Sequence, residues 1–198
     1  MTTPTAMMTK LDAVNLMLAS IGQTPLNTLS GTIPKDGAKA VLTLDTELRA
    51  VLMLGWSFNS DWNYPLSPSS GKIDVPATSI FVDPTYGQPY VMRWDSDALR
   101  LYDTNKRSFD EFQSDVKVDI IWLFNFEEIP QHARMYIATK AGRKFQAGIM
   151  ASAILYEFTK EVEAEAYAGF RRIELRQQDY NINIHSVAAH RRRNPGRY

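Results

Sequence analysis

The chain has no cysteine and only three histidines in 198 residues, and its lysines and arginines are balanced by its acids to a net charge of zero. Without cysteine there is no disulfide, no thiol nucleophile and no thiolate metal site. His132, His185 and His190 form neither HExxH nor another close ligand pair, so no metal and no cofactor is expected. G-x-S-x-G is missing as well, and Gly31 to Lys39 fails the spacing of a phosphate-binding loop. No apolar run approaches the roughly 20 residues that cross a bilayer, and Met1 to Lys10 lacks the basic start and apolar stretch of a signal peptide. These absences lead us to expect a soluble, non-enzymatic protein made in the cytoplasm. Glu127-Glu128 and Asp95/Asp97 are paired acids of the sort glycosidases use, yet such pairs more often cap helices and close turns.

What is present is 44% hydrophobic residues, enough for one sizeable core or two small ones. Charge is unevenly spread. Residues 1–56 carry four basic and four acidic groups, 57–125 six and ten, 126–183 eight and eight, and 184–198 four and none. A nucleic-acid grip draws its affinity from neutralising phosphates, and the body of this chain has no basic excess for that work.

Periodicity predicts a helix from about Thr9 to Ile21, capped by Thr9, with Leu11, Val14, Leu18 and Ile21 as its apolar stripe. Gly22 stops it and Pro25 prevents resumption. A second helix is expected from about Asp36 to Leu54, with Val41, Leu42, Leu48 and Leu52 inward and Gly55 as its stop. Trp56-Ser57-Phe58 then alternates as a strand would, both rings on one face and both serving as core anchors. Candidate strands are Trp56–Trp62, Tyr90–Trp94, Ala98–Tyr102 and Val116–Leu123, with a hairpin turn at Asp95-Ser96-Asp97. Helical periodicity returns after Phe126, where Pro130 fits a first turn and Ala133, Ile137, Ala141 and Phe145 form an inner face. A last helix is expected from Thr159 to about Tyr180, burying Val162, Ala166, Phe170 and Ile173. The fold class is therefore α+β: a helix bundle built from the N- and C-terminal helices, residues 1–56 and 126–183, with an inserted antiparallel β domain, 57–125, and a flexible basic tail, 184–198.

The chain also carries an ordered set of short motifs. It runs through Ala13-Val14-Asn15, Ala19-Ser20-Ile21-Gly22-Gln23-Thr24-Pro25, Thr28-Leu29, Gly55-Trp56-Ser57-Phe58-Asn59 and Leu101-Tyr102-Asp103. It continues with the apolar run Val116 to Phe126, Glu128-Ile129-Pro130, Tyr136-Ile137, Ala141 to Gln146 and Asp179-Tyr180-Asn181-Ile182. In order and spacing this set resembles the tail tubular protein A family of short-tailed bacteriophages. An acidic residue is usual in that family where Gln23 stands, and residues 183–198 match no family motif. The resemblance implies a structural virion protein of the tail, assembled in the host cytoplasm. It would form a head-to-tail adaptor ring of twelve copies, bound to the portal on one side and the tail nozzle on the other. DNA would pass through the ring during ejection without specific binding, and no membrane would be involved.

Beside that reading, the tail offers Arg191, Arg192, Arg193, Arg197 and Tyr198 as contacts for the portal or a neighbouring subunit. Glu157, Glu161, Glu163 and Glu165 form a solvated helix face, or one that meets Arg171, Arg172 or Arg176 of a neighbour. The residues leave two other classes open. One is a nucleic-acid-binding protein that uses the Arg-rich tail, and the other is a small hydrolase, because triads assemble in space rather than in sequence.

Overall fold

Helix α1 begins where a reciprocal pair of hydrogen bonds starts it. In the computed structural model of the chain, which describes residues 7–84, 87–150 and 153–185, the Asp12 N–H donates to Thr9 Oγ1 at 3.1 Å and the Thr9 N–H to Asp12 Oδ2 at 2.9 Å. This capping box holds the Asp12 carboxyl below its usual range, chiefly through the Thr9 backbone bond. α1 spans Lys10–Ala19 and ends as Gly22 enters the left-handed region at φ 74°. The Gln23 N–H then reaches back to the Leu18 carbonyl and the Gly22 N–H to that of Ala19, each at 3.0 Å, the paired bonds of a Schellman closure.

The remaining elements are α2 (Lys35–Leu52), β1 (Ser60–Leu66), β2 (Ser79–Pro84), β3 (Tyr90–Asp95), β4 (Ala98–Asp103), β5 (Val116–Trp122), a 3₁₀ turn at Phe126–Glu128, α3 (Gln131–Met150) and α4 (Ala153–His185). The fold is α+β. Two units can be separated by their contacts, one from the chain up to Leu48 and from Phe126 onward, the other from Arg49 to Asn125.

In the helical unit α3 packs against both α1 and α4. Its expected inner face, Ala133, Ile137, Ala141 and Phe145, is buried throughout, joined by Ala138 and Tyr136. α4 runs antiparallel to α3, since His132 meets Glu174 and Arg143 meets Glu163. In the other unit β5 is the centre of an antiparallel sheet of order β1-β5-β2, and β3 and β4 form a separate hairpin. Ser96 takes a positive φ at the hairpin tip, in the expected Asp95-Ser96-Asp97 turn. The core there gathers Leu66, Ile73, Val82, Leu101, Val118 and Ile120. No helix among the described residues is long and apolar enough to cross a membrane.

Several expectations fail for identifiable reasons. Trp56-Ser57-Phe58 is a turn and not a strand, because the Asn59 side chain folds back on the Trp56 N–H; β1 starts only at Ser60. β2 went unread, since Pro76 and Pro84 around a short segment made it look like loop. In α1 the buried set is Ala13, Val14, Met17 and Leu18, with Leu11 and Ile21 half-buried at its margins. In α2 Leu42 is exposed and Val41 half-buried, while Ala40, Leu44 and Glu47 face inward. Val162 and Ile173 of α4 are exposed and Ala166 half-buried, because the helix turns Phe170 and Glu174 toward α3 instead. α4 also starts before Thr159 and continues past Tyr180 to His185, into the stretch assigned to the tail. The remainder of that tail, with Arg191, Arg192, Arg193, Arg197 and Tyr198, lies outside the described residues, as do Asp179 to Ile182 in their side chains.

Gly22 and Gly55 both hold left-handed backbone, at φ 74° and 70°, but their surroundings differ. A Cβ at Gly22 would meet nothing within 4 Å, whereas one at Gly55 would lie 3.0 Å from Ile121 Cδ1 and 3.1 Å from Ser60 Oγ. Gly22→Ala should therefore show only the backbone strain, about 1–2 kcal/mol. Gly55→Ala should lose clearly more, because its neighbours must also move. Urea denaturation midpoints measured side by side check the order, and equal losses would mean that the Gly55 turn is loosely packed.

Candidate functional site

Among the described residues, the buried polar side chains include several that close the chain on itself. Asn59 is the clearest. Its Oδ1 accepts the Trp56 N–H at 2.8 Å, and its Nδ2 donates to the Leu52 carbonyl at 3.0 Å and the Trp122 carbonyl at 2.9 Å. The Asn59 carbonyl in turn accepts the Trp122 N–H at 2.8 Å. Trp56 is buried, and its indole N–H donates to the Val51 carbonyl at 2.7 Å. The end of α2, the turn and the end of β5 are thus tied at one amide. Phe58, expected as a second ring anchor, is only half-buried.

In the helical unit Arg134 donates to the carbonyls of Ile129 at 2.8 Å and Met8 at 2.7 Å, and to that of Glu127. Pro130 stands just before α3, and its carbonyl accepts the first helical bonds from Ala133 and Arg134. Glu127 lies near a helix start as expected, but the one it caps is α1, through the Lys10 N–H. Asn15 clamps Leu26 by both its N–H and its carbonyl, at 2.7 and 2.9 Å, which seats the segment after the exposed Pro25.

Charged side chains between helices are paired within the chain. Buried Glu47 of α2 receives Lys144 at 2.5 Å and Lys140 at 3.4 Å. Glu163, expected on a solvated face or against a neighbour, instead meets Arg143 of the same chain. His132 Nε2 lies 3.0 Å from Glu174 Oε1, and its ring stacks on Phe170. Tyr136 is sandwiched between Phe170 and Tyr167, and burial, followed by the nearby Glu163 carboxylate, pushes its hydroxyl up to about 12.

The β unit has its own network. Asp95 accepts Lys72 at 2.8 Å and Arg100 at 2.7 Å, and Arg100 also reaches Asp74 and Asp97. Lys72 above all, with Arg100, holds the Asp95 carboxyl below the usual range. Arg100 and Asp95 are half-buried while Asp74 and Asp97 are exposed, so the outer pairs contribute little energy and the network orients the hairpin. A cleft of about 310 Å³ beside Tyr90 and Asp103 is internally occupied in its polar groups: Asp103 accepts two backbone N–H groups, and Lys106 meets Glu111 at 3.2 Å. Among the described residues no group of three or more His, Cys, Asp or Glu is placed to hold a metal ion. Some large apolar side chains also face outward. Trp62, Trp94 and Phe81 are exposed in the β unit, and Leu16, Leu42 and Met135 in the helical unit. This arrangement offers association surfaces.

The comparisons with known proteins agree with that character. A family model described as tail tubular protein matches residues 11–180. Over 132 residues the chain is 30% identical to tail tubular protein A of Klebsiella phage KP34, a stretch that covers 66% of this chain and 68% of that protein.

Two expected outcomes test this geometry. Asn59→Ala takes a partner from the Trp56 N–H and the Trp122 carbonyl at about 1–3 kcal/mol each, so its loss should be comparable to the roughly 3–5 kcal/mol of Trp56→Ala. Asn59→Asp should fare no better, because a carboxylate oxygen would then face the Leu52 and Trp122 carbonyls. Chemical denaturation of the three variants reads the order, and a wild-type midpoint for either Asn59 variant would contradict the clasp. The second outcome concerns alkali. An unfolded phenol ionises near 10.0 and Tyr136 in the fold near 12, so between those values the unfolded chain releases the proton more readily and stability falls as pH rises. Tyr136→Phe should flatten that alkaline decline relative to wild type.

Proposed function

The chain belongs to the tail tubular protein family, and from that premise we propose that it is the adaptor-ring subunit joining the phage portal to the tail nozzle. It is a structural component of a bacteriophage tail. The finer reading is a homo-oligomeric ring, of twelve copies, that forms part of the DNA ejection channel and works by assembly rather than by turnover.

The observation that carries this reading is the span of the family match, which runs from α1 through both units into α4. The physical features are compatible with it. Buried polar groups are spent on closing the subunit, large apolar side chains stand exposed on both units, and the body lacks the basic excess that would make DNA stick. The portal and neighbour contacts proposed for Arg191, Arg192, Arg193, Arg197 and Tyr198 belong to this reading.

Native mass measurement of the purified chain, alone and with the portal protein of the same phage, tests the proposal. A twelve-copy assembly on the portal is the expected result, and failure to associate with the portal at any ratio would refute the adaptor role. Duplex DNA should be retained weakly at physiological salt. Sub-micromolar retention that falls steeply with added salt would favour the nucleic-acid-binding alternative instead.

A further inference from the structure

Three carboxylates, Asp61, Asp83 and Asp119, line one cleft beside the three-stranded sheet, and among the described residues none of them meets a cation. Asp119 of β5 stands directly opposite Asp83 of β2, and Asp61 of β1 lies across from Ile120 on the other side of β5. Like charges directly opposite each other on neighbouring strands destabilise a sheet. Asp61 accepts the Trp122 indole N–H at 2.7 Å and Asp119 the Asn63 backbone N–H at 3.0 Å, which orients both groups but neutralises neither. Among the described residues none of the three forms an ion pair, although five other acids of the same unit do.

The carboxylates share a cleft of about 160 Å³ with large apolar side chains. Leu54 is 65% exposed, Trp62 67% and Phe81 47%, an arrangement that wastes apolar surface unless something covers it. A suitable occupant must bring several positive charges on planar or slender groups, some apolar area, and no acid of its own. Residues 186–198 have that composition, with Arg191, Arg192, Arg193, Arg197 and Tyr198 and no Asp or Glu. Guanidinium groups bind carboxylates through paired hydrogen bonds and stack on exposed indoles.

From this complementarity we infer that the cleft receives residues 186–198 of a second copy of this chain. The inference rests on the ring reading proposed above and gives it a mechanism. A ring closes through heterologous contacts, so each copy must carry two different surfaces that fit each other, and the basic tail and the acidic cleft form such a pair. Thirteen residues at about 3.3–3.6 Å each reach more than 40 Å when extended, far enough to cross to a neighbour.

The test titrates a synthetic peptide of residues 186–198 into the chain truncated after His185, reading tryptophan fluorescence, because Trp62 lines the cleft. Saturable binding is expected, weakened at least tenfold by Asp83→Lys, a substitution that leaves the fold intact because it relieves the Asp83–Asp119 opposition. No binding, equal binding to Asp83→Lys, or equal binding of a scrambled peptide of the same composition would overturn the inference. The full-length chain at a concentration where it is monomeric should also take the peptide. If only the truncated chain does, a copy's own tail fills its own cleft and the second-copy assignment is wrong. A ring that forms on the portal from truncated chains with undiminished affinity would sink this inference and leave the adaptor reading standing. Peptide binding without any ring would do the reverse.

Discussion

The Asn59 amide is the interaction on which the β unit depends. One side chain bonds three backbone groups: the Leu52 carbonyl at the end of α2, which also accepts the Gly55 N–H, the Trp56 N–H of the turn and the Trp122 carbonyl at the end of β5. Leu52 and Trp56 are buried and Trp122 is half-buried, so water is poorly placed to replace a lost bond. Gly55 belongs to the same device. Its left-handed backbone turns the chain sharply enough for Asn59 to reach back seven residues to the Leu52 carbonyl, and its missing side chain lets Ile121 and Ser60 approach. With the turn set, β1 begins in register beside β5, and the sheet follows.

The helical unit uses the same principle with different chemistry. Arg134 spreads its guanidinium over three carbonyls from two stretches of chain far apart in sequence, and Asn15 and Gln146 each hold a loop or helix-end carbonyl. Glu47 is the costlier case, since a buried carboxylate must be met by Lys140 and Lys144 to be tolerated. Such polar closures favour one arrangement of helices over sliding alternatives. In the ring proposed above, a fixed shape would be the functional requirement, because a ring closes only if every copy presents its complementary surfaces at the same angle.

The motifs read from the sequence point to the family whose match spans residues 11–180, though the physical roles within them differ from expectation. Gly55-Trp56-Ser57-Phe58-Asn59 stood out for its two rings, and it is the asparagine that does the joining while Phe58 stays half-buried. Asn15 sat in the first quoted motif without an assigned role, and its partner, Leu26, lies eleven residues on. The α3 face was legible because four apolar positions at helical spacing are all enclosed, by α1 on one side and α4 on the other. The α4 stripe departs from expectation because the helix turns Phe170 and Glu174 toward α3. Its apolar residues outnumber the places available against α3, and Phe170 with Glu174 takes them while Val162 and Ile173 remain outside.

By itself, then, the sequence determined what local chemistry can decide: where helices start and stop at Thr9, Gly22 and Gly55, the Asp95-Ser96-Asp97 hairpin, the half-buried alternation of β5, and the α+β class. These depend on capping groups, backbone freedom and periodicity within a few residues. Tertiary structure alone decided that Glu47 and Glu174 are interior, that Glu163 is paired at home, that β2 is a strand, and that Asp83 faces Asp119. Each of those outcomes is set by a partner brought close through the folded chain, at a separation no local pattern encodes, and burial or pairing is a property of that neighbour as much as of the residue itself.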